Sequence, residues 1–311
     1  MSTDEVDARG LENYILSIMR ARHVLALVVV SVVASAAGAA EVRRGDVAIS
    51  SDPPAIMCPA PPRTSVLSFD LKWKSWLYTG DAVAFDSIGN LYAAGGTTLD
   101  VFDSTLQAIR SVPLVEPASG LAVDGAGFAY VIGQSGRAYV YSPGGIGQRT
   151  FALPNLSAQT GVVSIDVTPD GCTLVYVGDG GSLNRFNACA QVALAPIASG
   201  ERFDAVRALS DGGVAAATDG RIRFYDSNGR LLFDVAAPAG GPIAAFSFDT
   251  DGRSLWIANG TFLVRMGIVD RKITARTPVG HPGGVAVFGE HRTDASAILE
   301  AIAPKHRSVR H

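Results

Sequence analysis

Residues 81–113, DAVAFDSIGNLYAAGGTTLDVFDSTLQAIRSVP, decide how this chain is read, because their pattern returns four more times downstream. Val83 and Phe85 alternate with small residues, Asp86-Ser87-Ile88-Gly89-Asn90 forms a turn, and Leu91 to Ala94 is a second short strand. Gly95-Gly96 turns the chain again, and Leu99 to Phe102 and Ala108 to Val112 complete the set. Short runs bounded by Gly, Asn, Asp or Ser carry the period-two signature of strands joined by tight turns.

The first turn of each copy ends at Gly89, Gly127, Gly171, Gly212 and Gly252, at spacings of 38, 44, 41 and 40 residues. A sixth core strand, Gly284 to Val287, puts His291 at the glycine position after a further 39 residues. A period of about 40 residues with four short strands per unit is that of a propeller blade. One twisted sheet cannot bury its own faces, so such blades pack face to face around an axis. The expected fold is therefore all-β: a six-bladed β-propeller over residues 65–290, with four-stranded antiparallel blades and a ring closed by pairing of N- and C-terminal segments. Residues 65–79 supply the outer strands of the shared blade, since Ser68-Phe69-Asp70 matches Val101-Phe102-Asp103 and Phe224-Tyr225-Asp226. Its inner strand is Gly284 to Phe288, which places Leu67 in the same sheet as Val285. Residues 46–51 or 297–301 supply its second strand. An open β-sandwich or a β-solenoid is the competing architecture.

The chain has 311 residues, 34 Gly and 16 Pro, with 26 Lys plus Arg against 29 Asp plus Glu, which suits one large all-β domain. No basic stripe is present, so nucleic acid is not an expected partner. Residues 1–40 read as an N-terminal extension with an export signal. Met19-Arg20-Ala21-Arg22 precedes an apolar run from Val24 to Val33, followed by small residues suited to cleavage after Ala39 or Ala40. Translation from Met19, cleavage and a monomeric periplasmic or extracellular product without a membrane span are expected; a buried helix or signal anchor is the alternative. Residues 41–64 read as a Pro-rich linker holding Cys58. Residues 291–311 read as a tail in which Asp294 caps an apolar stretch before Lys305, His306, Arg307 and Arg310. That tail is either a short helix or a basic segment for an anionic surface.

Two of the three cysteines have the placement for a bond. If the hairpin between them turns on Gly180-Gly181, residues whose numbers sum to 361 face each other, and Cys172 then stands opposite Cys189. Two buried thiols are the alternative, with Cys58 left over.

Asp86-Ser87-Ile88-Gly89-Asn90-Leu91-Tyr92-Ala93-Ala94 and Asp249-Thr250-Asp251-Gly252-Arg253-Ser254-Leu255-Trp256-Ile257-Ala258 resemble the repeat of NHL-repeat, gluconolactonase-like and streptogramin-lyase-like six-bladed propellers. Cys172-Thr173-Leu174-Val175-Tyr176, answered by Arg185-Phe186-Asn187-Ala188-Cys189, looks like a blade of secreted bacterial members of that group. These residues build turns and core strands, so they specify the fold better than an activity.

Loops entering the innermost strands open onto one mouth of the central channel and carry Asp81, Glu116, Ser119, Thr160, Arg202, Asp204 and His281. Asp81, Glu116 and Asp204 form a candidate oxygen-ligand set for Ca²⁺ or Mg²⁺, and the resemblance to gluconolactonase-like enzymes implies such a site. His281, with Glu290 and His291 nearby in sequence, is a candidate general base, as the His and Glu pair of the streptogramin lyases implies. The plain alternatives are solvated or turn-capping carboxylates and a His-Pro-Gly turn. Asn155-Leu156-Ser157 and Asn259-Gly260-Thr261 match glycosylation sequons. No nucleophile elbow, phosphate loop or metal-thiolate spacing is found. The leading expectation is an exported module that binds a protein, peptide or glycan through the channel mouth or a propeller face, using Asp81, Glu116, Arg202, Asp204 and His281. The competing one is a metal-dependent lactonase or lyase at that mouth.

Overall fold

The computed structural model describes residues 42–51, 82–159, 161–238, 241–279, 282–292 and 294–302, all within one unit, Val42–His311. It begins with β1 (Val47–Ser51). Five four-stranded antiparallel sheets follow, each in simple sequential order. The first is β2 (Ala82–Phe85), β3 (Leu91–Gly95), β4 (Thr98–Phe102) and β5 (Ala108–Pro113). The second is β6 (Ala118–Val123), β7 (Ala129–Gly133), β8 (Arg137–Tyr141) and β9 (Gly147–Ala152). The third is β10 (Ile165–Val167), β11 (Thr173–Val177), β12 (Leu183–Asn187) and the two-residue β13 (Val192–Ala193). The fourth is β14 (Ala205–Ala208), β15 (Val214–Thr218), β16 (Arg221–Tyr225) and β17 (Leu231–Ala236). The fifth is β18 (Ile243–Phe248), β19 (Ser254–Asn259), β20 (Phe262–Gly267) and β21 (Ile273–Pro278). The last strand, β22 (Pro282–Val287), pairs antiparallel with β1, and α1 (Ala295–Ile302) ends the described chain. The fold is an all-β propeller with five four-stranded blades among the described residues.

Of the two candidate partners for the last core strand, the first supplies it: Val47 stands opposite Val287 and Ile49 opposite Val285. Residues 297–301 lie in α1 instead. Residues 65–79, and with them Leu67, lie outside the described residues, as do the export signal and Cys58.

Period-two alternation assigns each strand face to a different neighbour. On β3, Leu91 and Ala93 bury against Ala48 and Ala286 of the β1–β22 pair, while Tyr92 and Ala94 face Leu121 and Val123 of the second blade. On the other side of that pair, Val285 and Val287 pack on Trp256 and Ala258 of the fifth blade. Inner strands therefore touch in order from β2 through β6, β10, β14 and β18 to β22, and β22 also touches β2.

Polar ties repeat from blade to blade. The Tyr92 hydroxyl donates to Gly127 O at 3.2 Å and the Tyr130 hydroxyl to Gly171 O at 2.9 Å, each reaching the turn glycine of the following blade. Burial, then the neighbouring Asp86 or Asp124, pushes each phenol up to about 12. Arginines make a second set. Arg110 donates to Pro143 O, Arg149 to Ala188 O at 3.2 Å and Arg185 to Ser227 O at 2.5 Å. These three carbonyls occupy the same place in successive blades, two residues past Tyr141, Phe186 and Tyr225. The corresponding carbonyl of the first blade, Ser104 O, accepts from the Val42 backbone N–H. The turn itself needs glycine: Gly89 has a φ of +93°, and a Cβ there would meet the Phe288 ring at 2.9 Å.

Cys172 and Cys189 are disulfide-bonded, with Cα atoms 5.0 Å apart. The register differs from the expected one. Thr173 faces Asn187 and Val177 faces Leu183, so Cys172 stands opposite Ala188, whose N–H donates to Cys172 O at 2.8 Å. The connection is a 3₁₀ turn at Asp179–Gly181 rather than a two-residue hairpin turn, and this shifts the pairing by one. The bond closes the β11–β12 hairpin of the blade with the shortest outer strand. Replacing both cysteines by Ala is expected to lower unfolding free energy by about 2–4 kcal/mol in urea titrations, and an unchanged midpoint would contradict that role.

Candidate functional site

An innermost strand is paired along one edge only, so its other edge needs partners in the channel. Backbone groups of successive residues point to opposite edges. Asp86 N–H donates to Asn90 O at 3.0 Å, Asp124 N–H to Phe128 O at 3.1 Å, Leu209 N–H to Gly213 O at 2.9 Å and Asp249 N–H to Ser254 O at 2.9 Å. The preceding residues, Phe85, Val123, Ala208 and Phe248, therefore present N–H and C=O to the channel.

Charged side chains meet many of these groups. Ala208 N–H donates to Asp166 Oδ2 at 2.9 Å and Phe248 N–H to Glu290 Oε1 at 2.8 Å. Arg207 donates from Nε to Phe246 O at 2.8 Å and from Nη2 to Val285 O, and Arg292 Nη1 donates to Val167 O at 2.5 Å. The same side chains pair with one another. Arg292 Nη2 lies 3.1 Å from Asp166 Oδ1 and its Nε 3.4 Å from Glu290 Oε2, while Arg207 lies 3.7 Å from Asp166 and 3.9 Å from Glu290. Burial alone would raise the Glu290 carboxyl, but Arg292, Arg207 and the Phe248 N–H outweigh it and hold the group below its ordinary value. Burial alone would lower Arg292, and Asp166 and Glu290 outweigh it in turn, so the guanidinium is held above its ordinary value.

A cavity of about 600 Å³ lies beside this network, at the channel end where the inner strands turn back. Five residues before each turn glycine, the repeat reads Ala84, Ala122, Asp166, Arg207 and Ser247, and Ala286 stands five before His291. Three alanines leave the space that the arginine and aspartate fill elsewhere. Phe85, Val123 and Val287 line the same cavity, and His291, Ser210 and Asp294 stand at its edge. Ser210 Oγ donates to Asp294, which immediately precedes α1, and Ala295 and Ile298 of that helix are buried with Leu209 and Phe248. At the opposite, entry end the cavity is about 190 Å³ and is lined by Ser164, Asp204, Ala245 and Gly284 among others.

Among the described residues nominated from sequence, Glu116 and Asp204 have separate surroundings. Glu116 folds onto the β7–β8 hairpin of its own blade, accepting from Ser135 N–H at 2.8 Å, Ser135 Oγ at 2.5 Å and the Tyr139 hydroxyl at 2.7 Å. Burial raises its carboxyl, but these bonds win and leave it below the ordinary value. Asp204 lines the entry cavity, and burial there raises its carboxyl against the lowering effect of Arg202. Ser119 is buried, and its carbonyl accepts from Val163 N–H at 2.6 Å. Asp81, Thr160 and His281 lie outside the described residues. Among the described residues, no group of three His, Cys, Asp or Glu is arranged to hold a metal ion. Glu290 belongs to the ion network rather than to a pair with His291, whose N–H donates to Asp249 O at 3.2 Å. Of the two sequons, Asn259 is 1% exposed and its amide donates to Pro238 O, so that side chain is closed to modification. Sequence reasoning missed the network, although a charged pair in an otherwise small, uncharged repeat position is a signal that the aligned copies contain.

No helix among the described residues is long and apolar enough to cross a membrane. No family model matches the chain, and no curated protein matches it. Among solved structures it is similar to a chain of Kuenenia stuttgartiensis hydrazine synthase, with a TM-score of 0.50 and 16% identity over 67% of this chain and 68% of that one. At that identity the likeness bears on the fold alone.

Glu290 has a lower pKa folded than unfolded, so its contribution to stability is complete above its ordinary value of 4.5 and is lost as pH falls below it. Melting temperature is expected to fall on acidification from about pH 6 to about pH 3, and Glu290→Gln to flatten part of that slope. Glu290→Gln also costs about 3–5 kcal/mol near neutral pH, because two buried guanidiniums lose a counter-charge. Calorimetric melts across the range check both, and parallel curves for the two proteins would contradict the assignment.

Proposed function

We propose that the chain is an exported six-bladed β-propeller of the NHL-repeat, gluconolactonase-like and streptogramin-lyase-like group, acting as a binding module through the turn-end cavity. The sixth blade in this reading is built on the β1–β22 pair, which packs between the fifth and first blades. The disulfide supports export, because such bonds persist in oxidising compartments. Its partner is a protein, peptide or glycan group small enough to enter a space of about 600 Å³.

One observation carries the binding reading over a catalytic one. General acid–base catalysis wants a group poised near working pH, whereas Glu290 and Arg292 at this cavity are each pushed further into their charged forms by the other. They stiffen the channel and leave a shaped, largely preformed space, which is what a binding site requires.

Thermal-shift screening with a general set of small polar compounds tests this. Binders are expected to raise the melting temperature, and Ala122→Leu, which fills the cavity, to abolish those shifts while still melting cooperatively. Shifts that persist in Ala122→Leu would place binding elsewhere. A rise produced by Ca²⁺ or Mg²⁺ alone would favour the metal-dependent lactonase or lyase at the entry mouth instead.

A further inference from the structure

Resting on that reading, we infer that the turn-end cavity takes a neutral polyhydroxylated ligand, a monosaccharide or one sugar unit of a glycan, held by the free strand edges of Phe85 and Val123. The protein itself shows how such an edge is satisfied. Ala208 N–H is met by the carboxylate of Asp166, which stands at the channel-facing position of the preceding blade. The equivalent position preceding Val123 is Ala84, and the one preceding Phe85 is Ala286. A methyl group accepts no hydrogen bond, so among the described residues these two positions supply no acceptor, and a molecule that fills the cavity can.

The chemistry of the edge selects the ligand class. Each channel-facing residue presents both an N–H and a C=O, as the matched bonds elsewhere in the ring demonstrate: Phe248 offers its N–H, and Phe246, Val285 and Val167 offer their carbonyls. A hydroxyl both donates and accepts, so adjacent hydroxyls on a sugar ring answer such an edge completely. A carboxylate answers only the N–H groups, and an ammonium only the carbonyls. Charge points the same way. The cations Arg207 and Arg292 are already paired with Asp166 and Glu290, so an anionic ligand gains no free counter-charge there. Asp86 and Asp124, which also line the cavity, spend their Oδ1 atoms on the N–H groups of their own turns, Ile88 and Asn90 in one case and Ala126 and Phe128 in the other. Two carboxylates repel an anion, whereas a neutral sugar carries no net charge to be repelled.

Saturation-transfer NMR and calorimetry on the full chain provide the test, with D-glucose, D-galactose, D-mannose and N-acetylglucosamine as probes. D-glucuronate and D-glucosamine serve as anionic and cationic matches of the glucose ring. At least one neutral sugar is expected to bind, and its charged counterpart to bind weaker by about tenfold or more, the cost of one unmet buried polar group. Ala122→Leu is expected to abolish binding. Ala84→Asn, whose amide both accepts and donates at the vacant position, is expected to keep the native melting temperature and weaken binding by a similar factor. Tighter binding of the uronate or the amino sugar, lost in Ala122→Leu, would overturn the ligand class and leave the binding reading standing. Binding of a neutral sugar that ignores both substitutions would overturn the site and that reading with it. Failure of all four neutral sugars to bind would overturn the inference alone, since the general compound screen decides the binding reading separately.

Discussion

Every innermost strand of a propeller faces the channel with one unpaired edge, and buried backbone groups left without partners cost about as much as lost hydrogen bonds. In this protein charged side chains meet the constraint along part of the channel. Asp166 and Glu290 accept the N–H groups, and Arg207 and Arg292 donate to the carbonyls. Charges placed there would themselves be costly to bury, and the arrangement offsets this by setting each acid against a guanidinium. Pairing and edge satisfaction are thus one structure. Removing any member leaves both an uncompensated charge and an unmet backbone group.

The outer parts of the blades follow a simpler logic. Apolar faces supply most of the contact energy between neighbours, while each polar tie reaches a fixed place on the next blade. Tyr92 and Tyr130 find turn-glycine carbonyls, and Arg110, Arg149 and Arg185 find the carbonyl just past the third strand. Such ties fix the angle between sheets, which non-directional packing does not. The Val42 N–H bond to Ser104 O extends the second series to the first blade. A piece of chain from before β1 thus reaches, by its backbone, the place that arginines reach elsewhere.

The blades were legible in the sequence because their turns are chemically narrow. A glycine at positive φ and an aspartate that folds onto its own turn recur at every copy, and short alternating runs between them leave little choice of secondary structure. The cysteine pair was legible for the same reason, yet its register was not, because a 3₁₀ turn at Asp179–Gly181 is one residue different from the hairpin that its glycines suggested. The surroundings of the channel were less legible. Acidic residues in entry loops drew attention, and Glu116 proves to serve its own hairpin through Ser135 and Tyr139. What determines a cavity in a propeller is the identity of channel-facing residues, and several of those around the turn-end cavity are small and apolar. Ala84, Ala122 and Ala286 carry no chemical signal of their own; they matter only in contrast with Asp166 and Arg207 at the same position of other repeats.

The wall of the turn-end cavity is also held firmly. Loops that hold a ligand must be ordered when it arrives, and each immobilised side chain costs about 0.5–1.5 kcal/mol of binding free energy. Here the groups that face the cavity are strand edges and short turns already fixed by their own ladders, and the ionic side chains beside them are tied on two or more sides. Little conformational freedom remains to be lost on association. In the proposed binding reading, specificity rests on hydrogen-bond complementarity with a backbone that cannot retreat, and a ligand with one misplaced polar group leaves a donor or acceptor unmet that the scaffold cannot turn aside to satisfy.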